Sequence, residues 1–321
     1  MKMIKTLLSA ALVATALASA ASAQAATLRM GMVTPPSHIW NKVAERFNEN
    51  LQAADSDFKI KVFPLGKLGG DDQMIDLLQT GALQLAILTA GSLSNREASI
   101  NAWFLPYVFN NVEEAATASR KPAARQMLAD LANHKMIGLG YTMAGMRHVI
   151  SAKPIDSAAG FENKKIRSFP NRVFNDWWGQ LGAAPTALPI ADVAPALTTN
   201  LLDAVDVDLD ITVGLKFYQQ APNLALTNHM AFPGVIVASQ KWWESLDAGQ
   251  QDTVKAALTD AEDWGFAEQA KAEVSNLQLL KDAGVSVTEI DDPKLHEIGA
   301  AIVKSYADDN ALIRAFLEEN Q

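Results

Sequence analysis

Two arginines carry the clearest chemistry in this sequence. Arg147 follows Gly145 and Met146 where a strand is about to begin, and Arg167 closes the strand-like run Lys164 to Arg167 just before Ser168-Phe169-Pro170. An arginine at the carboxyl end of a parallel strand points into the crevice where open α/β sheets take ligands, and its planar fork can hold a carboxylate through two charge-assisted hydrogen bonds. The plainer alternative is a surface arginine paired with an acidic neighbour. Asp206, Asp208 and Asp210 alternate after Leu201-Leu202 and would share one side of an extended strand. Such a series can accept hydrogen bonds from hydroxyls, balance an ammonium group, hold a hard cation, or simply form a solvated strand end. Trp177-Trp178 and Trp242-Trp243 read as helix packing.

Other chemistries are excluded by what the residues lack. Gly66-Lys67-Leu68-Gly69-Gly70 has no following Lys-Ser/Thr pair, and Asp71 would set a negative charge where a phosphate should sit. His38, His134, His148, His229 and His296 show no metal spacing, and with no cysteine in the chain neither disulfides nor thiolate chemistry can contribute. No nucleophile elbow is present. The residues therefore show none of the usual catalytic arrangements, no His/Cys metal spacing and no cofactor motif.

These side chains must be positioned by a fold built after export. Lys2 and Lys5 precede an Ala-rich apolar run from Leu7 to Ala20, followed by the small-residue alternation of Ala21, Ala23 and Ala25 that a signal peptidase cuts. Residues 1–25 are read as a signal peptide, because a membrane anchor needs about 18–20 strongly apolar residues. The remainder has 25 basic against 36 acidic residues, a net charge of −11, which argues against nucleic acid and anionic membranes as partners. It also makes any arginine in an anion site a local exception to the overall field.

Strand and helix patterns alternate from Thr27. A buried strand over 27–33 leads into a helix with Ile39, Val43, Phe47 and Leu51 at every fourth position. A strand at Phe58, Ile60 and Val62 precedes a glycine-broken turn and a helix capped by Asp71, and an apolar strand follows over 83–88. A second alternating set starts near Met136, with strands near 148–151, 164–167, 186–188 and 201–207 and helices near 172–181 and 193–199. The order implies parallel sheets with right-handed crossovers and helices on both faces. Asp247-Ala248-Gly249-Gln250 opens a helix that runs to about Ala283, long enough to bridge two lobes and expected to bend near Gly265. The expected organisation is residues 26–144 in one lobe with about 231–265 returning to it, and 145–230 in a second with about 266–321 returning to it. The ligand cleft would lie between them.

In order along nearly the whole chain, several segments resemble the dicarboxylate-receptor family, the substrate-binding proteins of tripartite ATP-independent periplasmic (TRAP) transporters. They are Leu65-Gly66-Lys67-Leu68-Gly69-Gly70-Asp71, Gly81 to Ala86, Phe104 to Phe109, Ala144 to Arg147, Lys165 to Arg167, Leu181 to Thr186, Ala196-Leu197 and Lys216 to Tyr218. The resemblance implies a two-lobe periplasmic-binding-protein fold with a long helix shared between lobes, and a non-enzymatic receptor for a small organic acid in the periplasm. It implies the small and large membrane subunits of a TRAP transporter as partners and no cofactor. It places the ligand carboxylate on Arg167, a second arginine at Arg147, and Ile190 where many members set an aromatic ring against the substrate. First-lobe contacts are implied at Thr34 and His38 and around Gly70 to Asp72. Many members carry an asparagine for the carboxylate where this chain has Val207, within Asp203-Ala204-Val205-Asp206-Val207-Asp208. That departure argues against simple C4-dicarboxylates, and the acidic neighbours Asp206 and Asp208 favour a hydroxylated acid or one with a positive group. A ligand-sensing partner of a signalling receptor, or a periplasmic enzyme acting on an organic acid, is the rival reading.

Overall fold

The apolar stripe of Ile39, Val43, Phe47 and Leu51 is realised as the helix Ile39–Ala53, in which all four side chains are buried. The computed structural model describes residues 26–54 and 56–320; the expected signal peptide lies outside the described residues. The first part of the chain contributes β1 (Ala26–Gly31), β2 (Phe58–Phe63), β3 (Leu85–Thr89) and β4 (Met136–Met146). The second contributes β5 (His148–Ser151), β6 (Lys165–Ser168), β7 (Ala184–Ala187), β8 (Ala204–Val207) and β9 (Asn223–Leu226). β10 (Ala231–Ser239) and β11 (Ser286–Glu289) complete the strands.

The strands form two sheets, and the protein has two lobes. One sheet has the order β2-β1-β3-β10-β4 and the other β11-β9-β5-β8-β6-β7. β1 runs parallel to β2 and β3, and β6 parallel to β7 and β8, as the βαβ reading requires. The expected all-parallel arrangement fails at β10, antiparallel to β3 and β4, and at β5, antiparallel to β8 and β9. The reason is connectivity: β4 leaves one sheet and reaches β5 of the other through Arg147 alone, and the chain returns from β9 to β10 through residues 227–230. The run from Met136, expected to start the second set, therefore belongs to the first sheet. The two crossings are bonded to each other, the Arg147 amide donating to Met230 O at 2.7 Å and the His229 amide to Arg147 O at 3.3 Å.

The long helix is Ala248–Asp282, 35 residues and about 52 Å at 1.5 Å per residue. Its start is the anticipated capping box: the Gln250 amide donates to Asp247 Oδ1 at 2.8 Å, and the Asp247 amide to Gln250 Oε1 at 3.1 Å. Its first half packs on Ile39–Ala53 and β4, where the buried Glu262 accepts from the Tyr141 amide at 2.7 Å and pairs with Arg120 at 3.1 Å. Its far end buries Leu280 against Leu224 and Leu209 beside the second sheet.

At Gly265, anticipated as a bend, the long helix lies tight against Ile39–Ala53: a Cβ there would stand 2.4 Å from Val43 Cγ2. Alanine in a helix interior gains up to about 1 kcal/mol over glycine. Overpacking against the fully buried Val43 costs about 1–3 kcal/mol. Gly265→Ala is therefore expected to lower the denaturation midpoint, a rise being the contrary result.

Two local assignments change. Gly70, not Asp71, caps the helix Asp71–Thr80, with the Gly70 amide donating to Gln73 Oε1. Asp71 turns inward, where its carboxylate takes the Thr89 amide at 3.1 Å and Ser92 Oγ at 3.0 Å. The last helix also differs from the expected 266–321 grouping. Pro293–Asp309 packs on Arg172–Gln180, with Tyr306 Oη donating to Asp176 at 2.8 Å. Ala311–Glu319 instead returns to the first lobe, Phe316 packing on Trp103 at 4.9 Å and Glu319 accepting from the Ala123 amide at 3.1 Å.

Candidate functional site

Carboxyl ends of strands from both sheets converge on one small cavity. Val33 and Thr34 follow β1, Thr89 ends β3, Arg167 lies on β6 with Phe169 just beyond it, and Val207 ends β8 with Asp208 just beyond it. His38, Trp40, Ala144, Arg147, Ile190, Ile211 and Phe232 complete the wall. The cavity measures about 60 Å³ and adjoins a wider cleft of about 590 Å³ that shares Val33, Arg167, Phe169 and Ile190 with it. Ligands of open α/β sheets bind at such strand ends.

The two arginines differ in what they have left to offer. Arg147 is 2% exposed and already committed: Nε donates to Asp206 Oδ1 at 2.7 Å, Nη2 to the Asp206 carbonyl, and Nη1 to Asp208 Oδ2 at 3.3 Å. Its guanidinium lies 4.4 Å from the centre of the Phe232 ring. Arg167 is 7% exposed, yet among the described residues only its Nε has an acceptor, Leu188 O at 3.2 Å. Burial and then the positive Arg147 push its pKa down to about 10, which leaves it charged at neutral pH.

The aspartates do not share one face. β8 stops at Val207, and Asp208 caps the helix Leu209–Gly214 by accepting from the Ile211 amide at 2.8 Å, so the extended geometry that would align the three side chains ends before Asp208. Asp206 lies behind Arg147 and outside the cavity lining, fully buried, with Trp178 Nε1 donating to it at 2.9 Å and His229 Nε2 3.4 Å away. Burial alone would raise its pKa; the charges and hydrogen bonds of Arg147 and His229 outweigh that and hold the carboxyl well below the usual range. Asp208 remains on the cavity wall. Asp210 reaches across to the first lobe and accepts from the Ile39 amide at 2.9 Å, supplying the carboxylate that the first turn of Ile39–Ala53 lacks.

His38 is fully buried, and burial lowers its pKa, leaving a neutral ring. Its Nδ1 accepts from the Trp40 amide at 3.2 Å, which puts the proton on Nε2; among the described residues that nitrogen has no hydrogen-bond partner, Asp210 Oδ2 being 3.9 Å away. Of the other positions singled out in the sequence, Thr34, Ile190 and Val207 line the cavity. Asp72 does not: it is exposed, paired with Arg96 at 2.8 Å, and sits on the wider cleft. The aromatic wall of Trp40, Phe169 and Phe232 was not legible, because apolar residues at strand ends read as ordinary core. The Trp177 ring stacks on His229 at 5.6 Å, and Trp178 packs on Phe161, in keeping with a packing role. Among the described residues no group of three or more His, Asp or Glu side chains could hold a metal, and no helix is long and apolar enough to cross a membrane.

Residues 30–310 match the family described as bacterial extracellular solute-binding protein, family 7 (DctP). The chain belongs to this family. Among its relatives, the sialic acid-binding periplasmic protein SiaP of Vibrio cholerae is 26% identical over 296 residues, covering 90% of this chain and 91% of SiaP. The sugar acid binding protein DctPAm of Advenella mimigardefordensis, in complex with galactonate, superposes with a TM-score of 0.87 at 25% identity, covering 92% of this chain and 98% of that one. A TRAP periplasmic solute binding protein from Xanthobacter autotrophicus with bound β-D-galacturonate gives a TM-score of 0.86 at 23% identity, over 91% and 98% of the two chains. The fold of this family is the two-lobe arrangement described above.

Proposed function

We propose that the protein is an extracytoplasmic receptor that takes a small organic acid by its carboxylate on Arg167, encloses it between the lobes, and delivers it unchanged to the small and large membrane subunits of a TRAP transporter. The observation that carries this reading is Arg167 itself: a buried guanidinium at a cavity wall whose two terminal nitrogens have no acceptor among the described residues, in a chain of net charge −9. Burial of a charge is costly unless it is paired, so the site is made for an anion. The relatives named for sialic acid and crystallised with galactonate or galacturonate are consistent with it, since each of those ligands bears a carboxylate. Export to the periplasm accords with the family and with the signal-like residues 1–25.

Asp210 gives closure a physical basis. A ligand touching both lobes favours the form in which Asp210 meets the Ile39 amide, and a population shift needs only that difference in affinity. The test is a thermal-shift screen of the purified protein against organic acids and their neutral amides or alcohols. Ligand bound only by the folded state raises the melting temperature, by RT ln(1 + [L]/Kd) in stability. Acids are expected to raise it and neutral analogues to leave it unmoved; stabilisation by neutral sugars alone would overturn the carboxylate mechanism.

A further inference from the structure

We infer that the ligand is a compact monocarboxylic acid with an oxo or hydroxyl oxygen beside its carboxylate and an apolar body, an assignment that rests on the receptor reading above. The charge balance at the cavity comes first. Arg147 is spent on Asp206 and Asp208, and the Asp208 carboxylate is itself on the wall. A second ligand carboxylate would find no free guanidinium among the described lining residues and would sit against Asp208, whose own carboxyl is already pushed up by burial that the nearby Arg147 does not offset. Arg167 alone is left to balance one negative charge.

The second element is a donor without an acceptor. With Nδ1 of His38 accepting from Trp40, Nε2 carries hydrogen and needs an oxygen. Asp210 Oδ2 is too distant at 3.9 Å and already accepts from the Ile39 amide. A neutral imidazole N–H suits a carbonyl or hydroxyl oxygen, so the substituent beside the carboxylate fills this role. The third element is the wall. Val33, Ala144, Phe169, Ile190, Val207 and Phe232 surround the remaining volume with apolar surface. The cavity's 60 Å³ corresponds to about four to six water positions. A polyhydroxylated chain held wholly inside this enclosed part would bury several hydroxyls with few partners, which is costly, whereas a short branched aliphatic body would not; the cleft of about 590 Å³ beyond Arg167 and Ile190 receives only what extends past it.

The experiment is calorimetric titration with 3-methyl-2-oxobutanoate and 2-hydroxy-3-methylbutanoate, alongside succinate, galactonate and 3-methylbutanoate, which lacks the adjacent oxygen. The oxo and hydroxy acids are expected to bind at least about tenfold more tightly than the other three, the effect of one hydrogen bond or one unfavourable charge. Tighter binding of succinate or galactonate would overturn this inference and leave the receptor reading standing. Failure of every acid to bind would remove both. Asp208→Asn supplies a second arm, because asparagine keeps the cap on Ile211 while removing the charge opposite Arg147. The succinate affinity relative to the oxo acid is expected to rise by about tenfold in this variant; an unchanged ratio would overturn the charge argument.

Discussion

Arg167→Ala is expected to weaken binding of the carboxylate ligand by about a hundred- to ten-thousand-fold, the loss of two charge-assisted hydrogen bonds at about 1.5–3 kcal/mol each. Folded stability should change little, because the side chain's one protein acceptor is Leu188 O and the buried charge it removes is unpaired without ligand. Arg167→Lys separates charge from geometry. Lysine keeps the positive charge and loses the planar fork, so its affinity should fall between the wild type and alanine. Calorimetric titration with denaturant melts on the same samples checks both halves. Affinities within about threefold of wild type in the alanine variant would take Arg167 out of the site.

Asp206→Ala should act in the opposite way, on stability first. It strips the buried Arg147 of its Nε partner and leaves Trp178 Nε1 without its acceptor. Breaking a buried pair by removing one member costs about 3–5 kcal/mol, and the contact of Arg147 with the Phe232 face, worth about 2 kcal/mol or more when desolvated, is present in both proteins and cannot compensate. The denaturant midpoint is the readout, and a value unchanged from wild type would refute the assignment. The pH dependence follows from the sign of the shift. The folded carboxyl is depressed, so its stabilisation is full above the unfolded value of about 3.9 and fades as pH falls through the depressed folded value. The difference between wild type and variant should therefore be largest near neutrality and shrink below about pH 4.

What the sequence disclosed, it disclosed locally. The four-residue spacing of Ile39, Val43, Phe47 and Leu51 and the Asp247–Gln250 box are short-range codes, and both elements stand where those codes put them. Arg167 was legible as a strand-end arginine because position on a strand and direction into a crevice are linked. Contacts made across the chain were not. The strand directions of β5 and β10 depend on partners far away in sequence, and the reach of Asp210 to the Ile39 amide spans 171 positions. The alternation of Asp206, Asp208 and Asp210 misled for a related reason: period two holds only while the chain stays extended, and the cap at Asp208 ends that at once. The difference between a committed and an available arginine was equally invisible, since nothing local shows that Asp206 and Asp208 occupy Arg147.

The bonded crossing of residue 147 with residues 229 and 230 has a mechanical reading. Arg147 is joined through its main chain to Met230 and His229 while its side chain reaches the cavity wall, so the crossing between the sheets and the wall of the cavity meet in one residue. The buried ion pair of Arg147 with Asp206 ties that crossing to β8 as well, so backbone from three strands of the two sheets is joined at one residue.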